Sequence, residues 1–382
     1  MKVILFFGHH KVGSTALQSF FSQNYLSLLR AGILYPAVES EGFSDALKRA
    51  LAGQDSKGGT PINVREPHNA LAFRMMAQIS NGKVPAYHGS LPAMAQMIRS
   101  LRQQVAALEP QTVVMCSEVM ANFGAKNPEL ITRLRDIFPE AEFELYCTLR
   151  RPDEYLASWH GQRLKLGHQV APLRDGGAMD YRQSIHFDYR KMLAPWAERM
   201  PEARLHLRNY SDVLAAGGSV EDFTQKTGLD CPDGLIAPAR ANQSLPYAVM
   251  EIMRRGNHAL PKETTRRMRR FLLTMAGKLD FPPNGKVELF GGETRAALAD
   301  AFEPIHDWLG ELTGRQAFFP DLGEMRKTRP MPETEAVRKA LDKLLRVAPD
   351  ERPEPEVWAV IETLSREFRD ARPRLFKRRK LA

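Results

Sequence analysis

Short apolar runs that alternate with stretches of helical period constrain this chain more than any other feature. Lys2 to Phe7, Thr112 to Cys116 and Phe143 to Leu149 are compact and β-prone, without the apolar–polar alternation of a strand that has one wet face. They read as strands buried on both sides. Between them lie a helix from about Ser14 to Arg30, a short strand over Gly32 to Tyr35 ended by Pro36, and helices over 91–108 and 128–138. Pro152 opens a further helix, with its ring in the first turn where it is tolerated. A last strand, Arg204 to Leu207, precedes a Tyr210-Ser-Asp turn, the Gly217-Gly218 break and a helix over 219–227. Strand followed by helix, repeated, folds as a parallel sheet with helices on its faces.

Two stretches depart from this pattern. Residues 38 to 67, rich in Gly, Ser, Asp and Pro, read as a long irregular segment, and such segments are often functional. Beyond Pro238 the chain becomes helical in period and strongly charged, over 245–278, 293–313, 333–346 and 354–371. The expected division is therefore an α/β domain over 1–237 and a helical region over 238–382, packed on or beside it.

Composition narrows the class. An apolar fraction of 43% and a charged fraction of 26% fit a folded globular chain. The three cysteines, Cys116, Cys147 and Cys231, are too far apart for a disulfide framework or a zinc site, so no metal is expected and a reducing, cytoplasmic setting is. The apolar run Val3 to Phe7 stops too soon for a signal-peptide core or a membrane span. A net charge of +9 suits an anionic ligand, although part of it sits in the tail Arg372 to Lys380. No base-stacking platform, zinc finger or RNP signature accompanies it, so nucleic acid is not an expected partner.

The loop Gly8-His9-His10-Lys11-Val12-Gly13-Ser14-Thr15 joins the first strand to the first helix, where backbone N–H groups and the helix dipole converge on an anion. In a Walker A loop the lysine follows the glycine, whereas here Lys11 precedes Gly13 by two residues, which argues against an ordinary NTPase. The order Lys-x-Gly-Ser-Thr resembles the 5′-phosphosulfate loop of the sulfotransferases that use 3′-phosphoadenosine 5′-phosphosulfate, PAPS. Phe7 to Gln18 resembles the bacterial, carbohydrate-type members. Val12 departs from them, since they usually have a hydroxyl residue there. A second signature follows the third apolar strand: Arg150, and Ser158 eight residues on, match the pair that holds the donor's 3′-phosphate in that family. A guanidinium suits the task through its paired donors. Arg151 stands where some branches have asparagine. The similarity covers about residues 1 to 230, with a fainter trace around Arg240 to Leu245.

This resemblance implies a P-loop-like α/β fold with a helical C-terminal extension, PAPS as donor, PAP as product, and a small-molecule or glycan acceptor offering a hydroxyl or amine. The donor site would comprise Lys11, Val12, Gly13, Ser14, Thr15, Arg150, Ser158 and Tyr210, with Tyr210 against the adenine or, equally, a core aromatic. Lys11 would stabilise the leaving oxygen. Glu118, at the carboxyl end of the strand Thr112 to Cys116, leads as the base that takes the acceptor's proton, with His10 second and His68 or His160 more remote. Glu118 also fits a structural partner for Lys11. The segment 38–90, with Arg65, Glu66, His68 and His88, forms the expected acceptor wall. Two competing readings remain, a P-loop kinase of small molecules and a PAP-binding protein without catalysis on the same scaffold.

Overall fold

Strand β1 (Lys2–Phe6) lies at the centre of a five-stranded sheet, between β3 (Thr112–Cys116) and β4 (Glu142–Leu149). Outside β3 runs β2 (Ile33–Leu34), and outside β4 runs β5 (Arg204–Asn209). Every pairing in this sheet is parallel. The computed structural model describes residues 1–55, 59–238 and 244–370. Val3 to Phe6 and Val113 to Cys116 are wholly buried, which is why these strands carry unbroken apolar runs. The chain is thus an α/β protein, a parallel sheet covered by helices with further helices in its C-terminal part.

The connections leave β1 first toward β2 and β3, then return past it to β4 and β5. Such a reversal opens a crevice at the carboxyl ends of the central strands, where ligands of open α/β sheets bind. β4 runs on beyond β1, since Phe6 is level with Tyr146 while Leu149 is level with Asn209 of β5.

The chain divides into two compact units, each built from separated segments. The first comprises Met1–Tyr155, Arg182–Asn242 and Phe302–Pro320. It contains the sheet, with α1 (Ser14–Gln23), α2 (Tyr25–Arg30), α3 (Ser40–Ala52), α4 (Ile62–Arg65), α5 (Pro67–Ser80), α6 (Met94–Leu108), α7 (Phe123–Lys126) and α8 (Glu129–Arg135). Helix α9 (Pro152–Lys165) begins in this unit and ends in the other; α10 (Arg190–Arg199), α11 (Tyr210–Ala215) and α12 (Ser219–Thr227) complete the first. The second unit comprises Leu156–Tyr181, Gln243–Ala301 and Asp321–Ala382. It is mainly helical, with α13 (Tyr247–Ala259), α14 (Lys262–Lys278), the start of α15 (Gly292–Thr313, which from Phe302 on belongs to the first unit), α16 (Glu333–Leu344) and α17 (Pro355–Asp370), and a minimal pair of β6 (Val287–Glu288) with β7 (Met331–Pro332).

Several local expectations are corrected. Residues 38–67 are not irregular throughout, because Glu39 accepts from the N–H groups of Glu41 and Gly42 and so starts α3. The helix expected over 14–30 breaks at Asn24, whose side chain donates to Phe20 and Ile236 carbonyls and accepts from Ile236 N–H. Tyr210-Ser-Asp is no turn but the start of α11, capped by Asn209 onto Ser211 N–H. The stretch 245–278 forms two helices separated at Leu260-Pro261, where proline lacks the N–H an interior position needs. Residues 240–243 of the fainter similarity, and the basic tail 372–380, lie outside the described residues.

Candidate active site

The loop after β1 turns sharply into α1. Lys11 has φ 64° and Gly13 φ 94°, with Val12 between them on the ordinary side. Alternation of this kind curls successive N–H groups toward one centre. Gly13 also caps α1 without any side-chain hydrogen bond, and the first turn of α1 contains no acidic residue. An anion is the natural complement of such a helix start. A Cβ on Gly13 would fall 1.7 Å from Ser219 Oγ, and one on Gly8 would fall 2.9 Å from Thr148 N, so both glycines are demanded by close approach. The Val12 side chain is wholly buried, in one core cluster with Ile4, Phe6 and Leu17. Its replacement of a hydroxyl residue therefore alters packing, and Ser219 Oγ donates to its carbonyl at 3.3 Å.

The adjacent histidines differ sharply. His9 is buried, stacks on Tyr155 at 4.1 Å and directs Nε2 at the Ile185 carbonyl, 3.1 Å away. Burial drives its pKa down to about 3, against the pull of that carbonyl. His10 is half-buried, with Nδ1 3.9 Å from Glu118 Oε1. Burial lowers the His10 imidazole, Glu118 pulls it back up and Lys11 lowers it again, for a net position below the ordinary histidine value. Burial and then the Arg150 guanidinium hold the Lys11 ammonium below the ordinary lysine value. Lys11 and Arg150 thus lie near enough for their charges to repel.

Arg150 follows the end of β4. It pairs with Glu154 at 2.9 Å, and its guanidinium lies 5.3 Å from the centre of the Tyr210 ring at the start of α11. Tyr210 also packs on the core beneath, so it serves as a core aromatic on one side and a platform on the other. Arg151 points elsewhere, buried against Asp153 at 2.7 Å. Ser158 is half-buried on α9, in the part of that helix belonging to the second unit.

Glu118 stands just past β3. Its Oε2 accepts from Gln18 Nε2 at 3.0 Å and its Oε1 from Asn69 Nδ2 at 3.2 Å. Ser14 and Gln18 lie one turn apart on α1 and both are buried. Of the remoter imidazoles, His68 is buried with Nδ1 accepting from Cys116 N–H at 3.1 Å, and burial takes its pKa down to about 3. His160 is in the second unit, its Nδ1 3.2 Å from the Tyr181 hydroxyl.

The first unit therefore brings His10, Lys11, Gly13, Ser14, Thr15, Glu118, Arg150 and Tyr210 to the carboxyl ends of neighbouring parallel strands. Gln18, Asn69 and Ser219 are additional. Gln18 carries a signal in sequence, a polar residue on the apolar face of the first helix. Asn69 and Ser219 carry none, since Asn69 meets its partner Ser117 across 48 residues.

The donor set fits a phosphorylated ligand: a turn with Lys11 and Gly13 at positive φ, a helix start without acid, and two neighbouring cations, Lys11 and Arg150. Among the described residues no group of three or more His, Cys, Asp or Glu assembles to hold a metal, and no helix is long and apolar enough to cross a membrane.

No protein-family model matches the chain. An uncharacterized protein of Archaeoglobus fulgidus is 30% identical over 149 residues, which span 39% of this chain and 39% of that relative. A crystal structure of a sulfotransferase from Alicyclobacillus acidocaldarius aligns over 86% of this chain and 99% of its own, at a TM-score of 0.39 and 12% identity. A superposition that loose bears on neither fold nor chemistry.

Proposed function

We propose that this chain is a sulfotransferase that takes PAPS as donor and passes its sulfuryl group to a hydroxyl or amine. One observation carries the reading: Lys11, in a left-handed conformation before Gly13, and Arg150, beside Tyr210, converge at a crevice that also contains Glu118 and His10. PAPS supplies an activated sulfuryl group on a phosphate, so the protein's work is to position, to stabilise a leaving oxygen and to accept a proton. Lys11 would stand at that leaving oxygen, where loss of one such donor typically costs about 10²- to 10³-fold in rate. Loop N–H groups and the start of α1 would hold the 5′ end. Arg150 would read the 3′-phosphate with its fork, and Tyr210 would lie near the base. The proton would go to the His10–Glu118 pair.

The test is ligand selectivity. PAP should raise the melting temperature in a dose-dependent manner without metal, as a ligand of the native state does. ADP and ATP, with or without magnesium, should do so far less. Arg150→Ala should weaken PAP more than adenosine 5′-phosphosulfate, which has no 3′-phosphate. Stabilisation by magnesium–ATP and none by PAP would establish the kinase reading instead. Tight PAP binding with no labelled transfer from PAPS to a broad panel of hydroxyl and amine acceptors would favour a binding protein.

A further inference from the structure

The two amides that reach Glu118 have no freedom to turn round. Val119 N–H donates to Ser117 Oγ at 3.2 Å, and the serine's own proton goes to Asn69 Oδ1 at 2.7 Å. In that orientation Asn69 Nδ2 donates to Glu118 Oε1 at 3.2 Å and to Glu66 Oε2 at 3.1 Å, whereas a flipped amide would set its oxygen against both carboxylates. On the other side Gln18 Nε2 lies 3.0 Å from Glu118 Oε2 and 3.5 Å from the Cys116 carbonyl. A flipped Gln18 would set its oxygen against both acceptors. Each of these hydrogen bonds points its proton toward the carboxylate.

His68 explains why the arrangement is rigid. It sits beside Asn69 in the first turn of α5, wholly buried, and its Nδ1 accepts from Cys116 N–H at the end of β3. The turn that supplies Asn69 is thereby docked on the strand that leads to Glu118.

We propose that Gln18 and Asn69 are positioning residues that fix the Glu118 carboxylate beside His10, and that the His10 imidazole takes the acceptor's proton. The inference rests on the sulfuryl-transfer reading above and reverses the order of the two candidate bases. As the acceptor atom bonds to sulfur, its proton passes to His10 Nε2. The bond from sulfur to the donor's phosphate oxygen breaks, and its electron pair leaves on that oxygen beside Lys11. Nδ1–H faces Glu118, whose charge supports the imidazolium that forms. The other loop imidazole, His9, is stacked and buried away from this role. The charged groups acting on His10 are Glu118, from the end of β3, and Lys11, from its own loop. Arg150 lies beyond Lys11, and Glu66 lies behind Asn69.

Titration of the His10 ring by NMR in the full chain, with labelled histidine, tests the arrangement without turnover. Glu118→Gln should lower the His10 midpoint by about 1 pH unit, because the opposite charge is gone. Gln18→Leu and Asn69→Ala should shift it in the same direction by less, and Gln18→Leu serves if Asn69→Ala does not fold. Single-turnover transfer at saturating PAPS should fall about 10²- to 10⁴-fold in His10→Gln and less in Glu118→Gln, with the acid limb of the Glu118→Gln profile moved to lower pH. An unchanged His10 midpoint in Glu118→Gln would overturn the pairing. A rate that survives His10→Gln and collapses in Glu118→Gln would overturn the assignment of the base. Were the midpoint to shift as expected while PAP failed to bind, the pairing would stand and the sulfuryl-transfer reading would fall.

Discussion

Lys11 shows how one residue reports the site it occupies. It adopts φ 64°, a conformation that costs a non-glycine residue about 1–2 kcal/mol, and such strain concentrates where a chain is held for function. Burial and Arg150 together depress its pKa below 10.5, so the free protein releases this proton earlier than an ordinary lysine does. A bound phosphate favours the ammonium. PAP affinity should therefore fall as pH rises through the depressed pKa of Lys11, before ordinary lysines titrate. Lys11→Arg should keep affinity level over the same range, since a guanidinium stays charged. Calorimetric titration from pH 7 to 10 on both proteins measures this, and parallel curves would remove Lys11 from the phosphate site. The lysine and its glycine were legible in sequence because the turn that joins a strand to the next helix is a local object. Asn69 was not, because its hydrogen bond to Ser117 joins positions 48 apart.

Among elements, the contact of α12 with the loop after β1 is the most consequential. Ser219 opens α12, and its hydroxyl lies where a Cβ of residue 13 would be. Gly13 is thus required twice, by its φ of 94° and by α12. Gly13→Ala should cost the α/β unit about 1–2 kcal/mol for the backbone conformation and more for the clash. Adding Ser219→Gly should recover the clash alone, so the double variant should melt above Gly13→Ala and below Ser219→Gly. Chemical denaturation of the three variants measures each part. A double variant no more stable than Gly13→Ala would show that α12 does not constrain the loop. The helix 219–227 was expected at these bounds from its Gly217-Gly218 start and Gly228 stop. Its place against the loop after β1 could not be, because no local pattern encodes which helix covers which strand end.

At the scale of the whole molecule, the two units can be distinguished by their response to pH. In the second unit Glu333 is buried at the start of α16, paired with Arg174 and near Glu251. Burial raises its pKa from 4.5 to about 7, against the pull of Arg174 and with Glu251 adding to the rise. Between those values the folded chain holds a proton that the unfolded chain has released. The stability this contributes is full below about pH 4.5 and is lost as pH rises to about 7. The wild type should accordingly lose more melting temperature between pH 5 and 8 than Glu333→Gln does, with the difference confined to residues of the second unit in hydrogen exchange. Parallel pH curves for the two proteins would mean that Glu333 is ionised in the fold. The units themselves are discontinuous, with Leu156–Tyr181 counted with the second and Phe302–Pro320 with the first, an arrangement that composition along the chain cannot express.

Sequence alone determined what depends on neighbours in the chain. Unbroken apolar runs specified strands buried on both faces, their alternation with helical stretches specified a parallel sheet, and Lys11 two residues before Gly13 marked the turn from the first strand into the first helix. Capping and helix breaks were less legible, as at Glu39 and Asn24, because the deciding partner is a backbone group or a residue far away. Tertiary structure alone decided which polar groups share one crevice. It set His10 rather than His9 beside Glu118, turned Val12 into the core, buried Arg151 against Asp153, and brought Gln18 and Asn69 to the two oxygens of one carboxylate. The physical reason is range: a strand or a phosphate loop is stabilised by contacts within a few residues. Which carboxylate faces which imidazole, and which donors reach them, is set by what the whole fold packs around them.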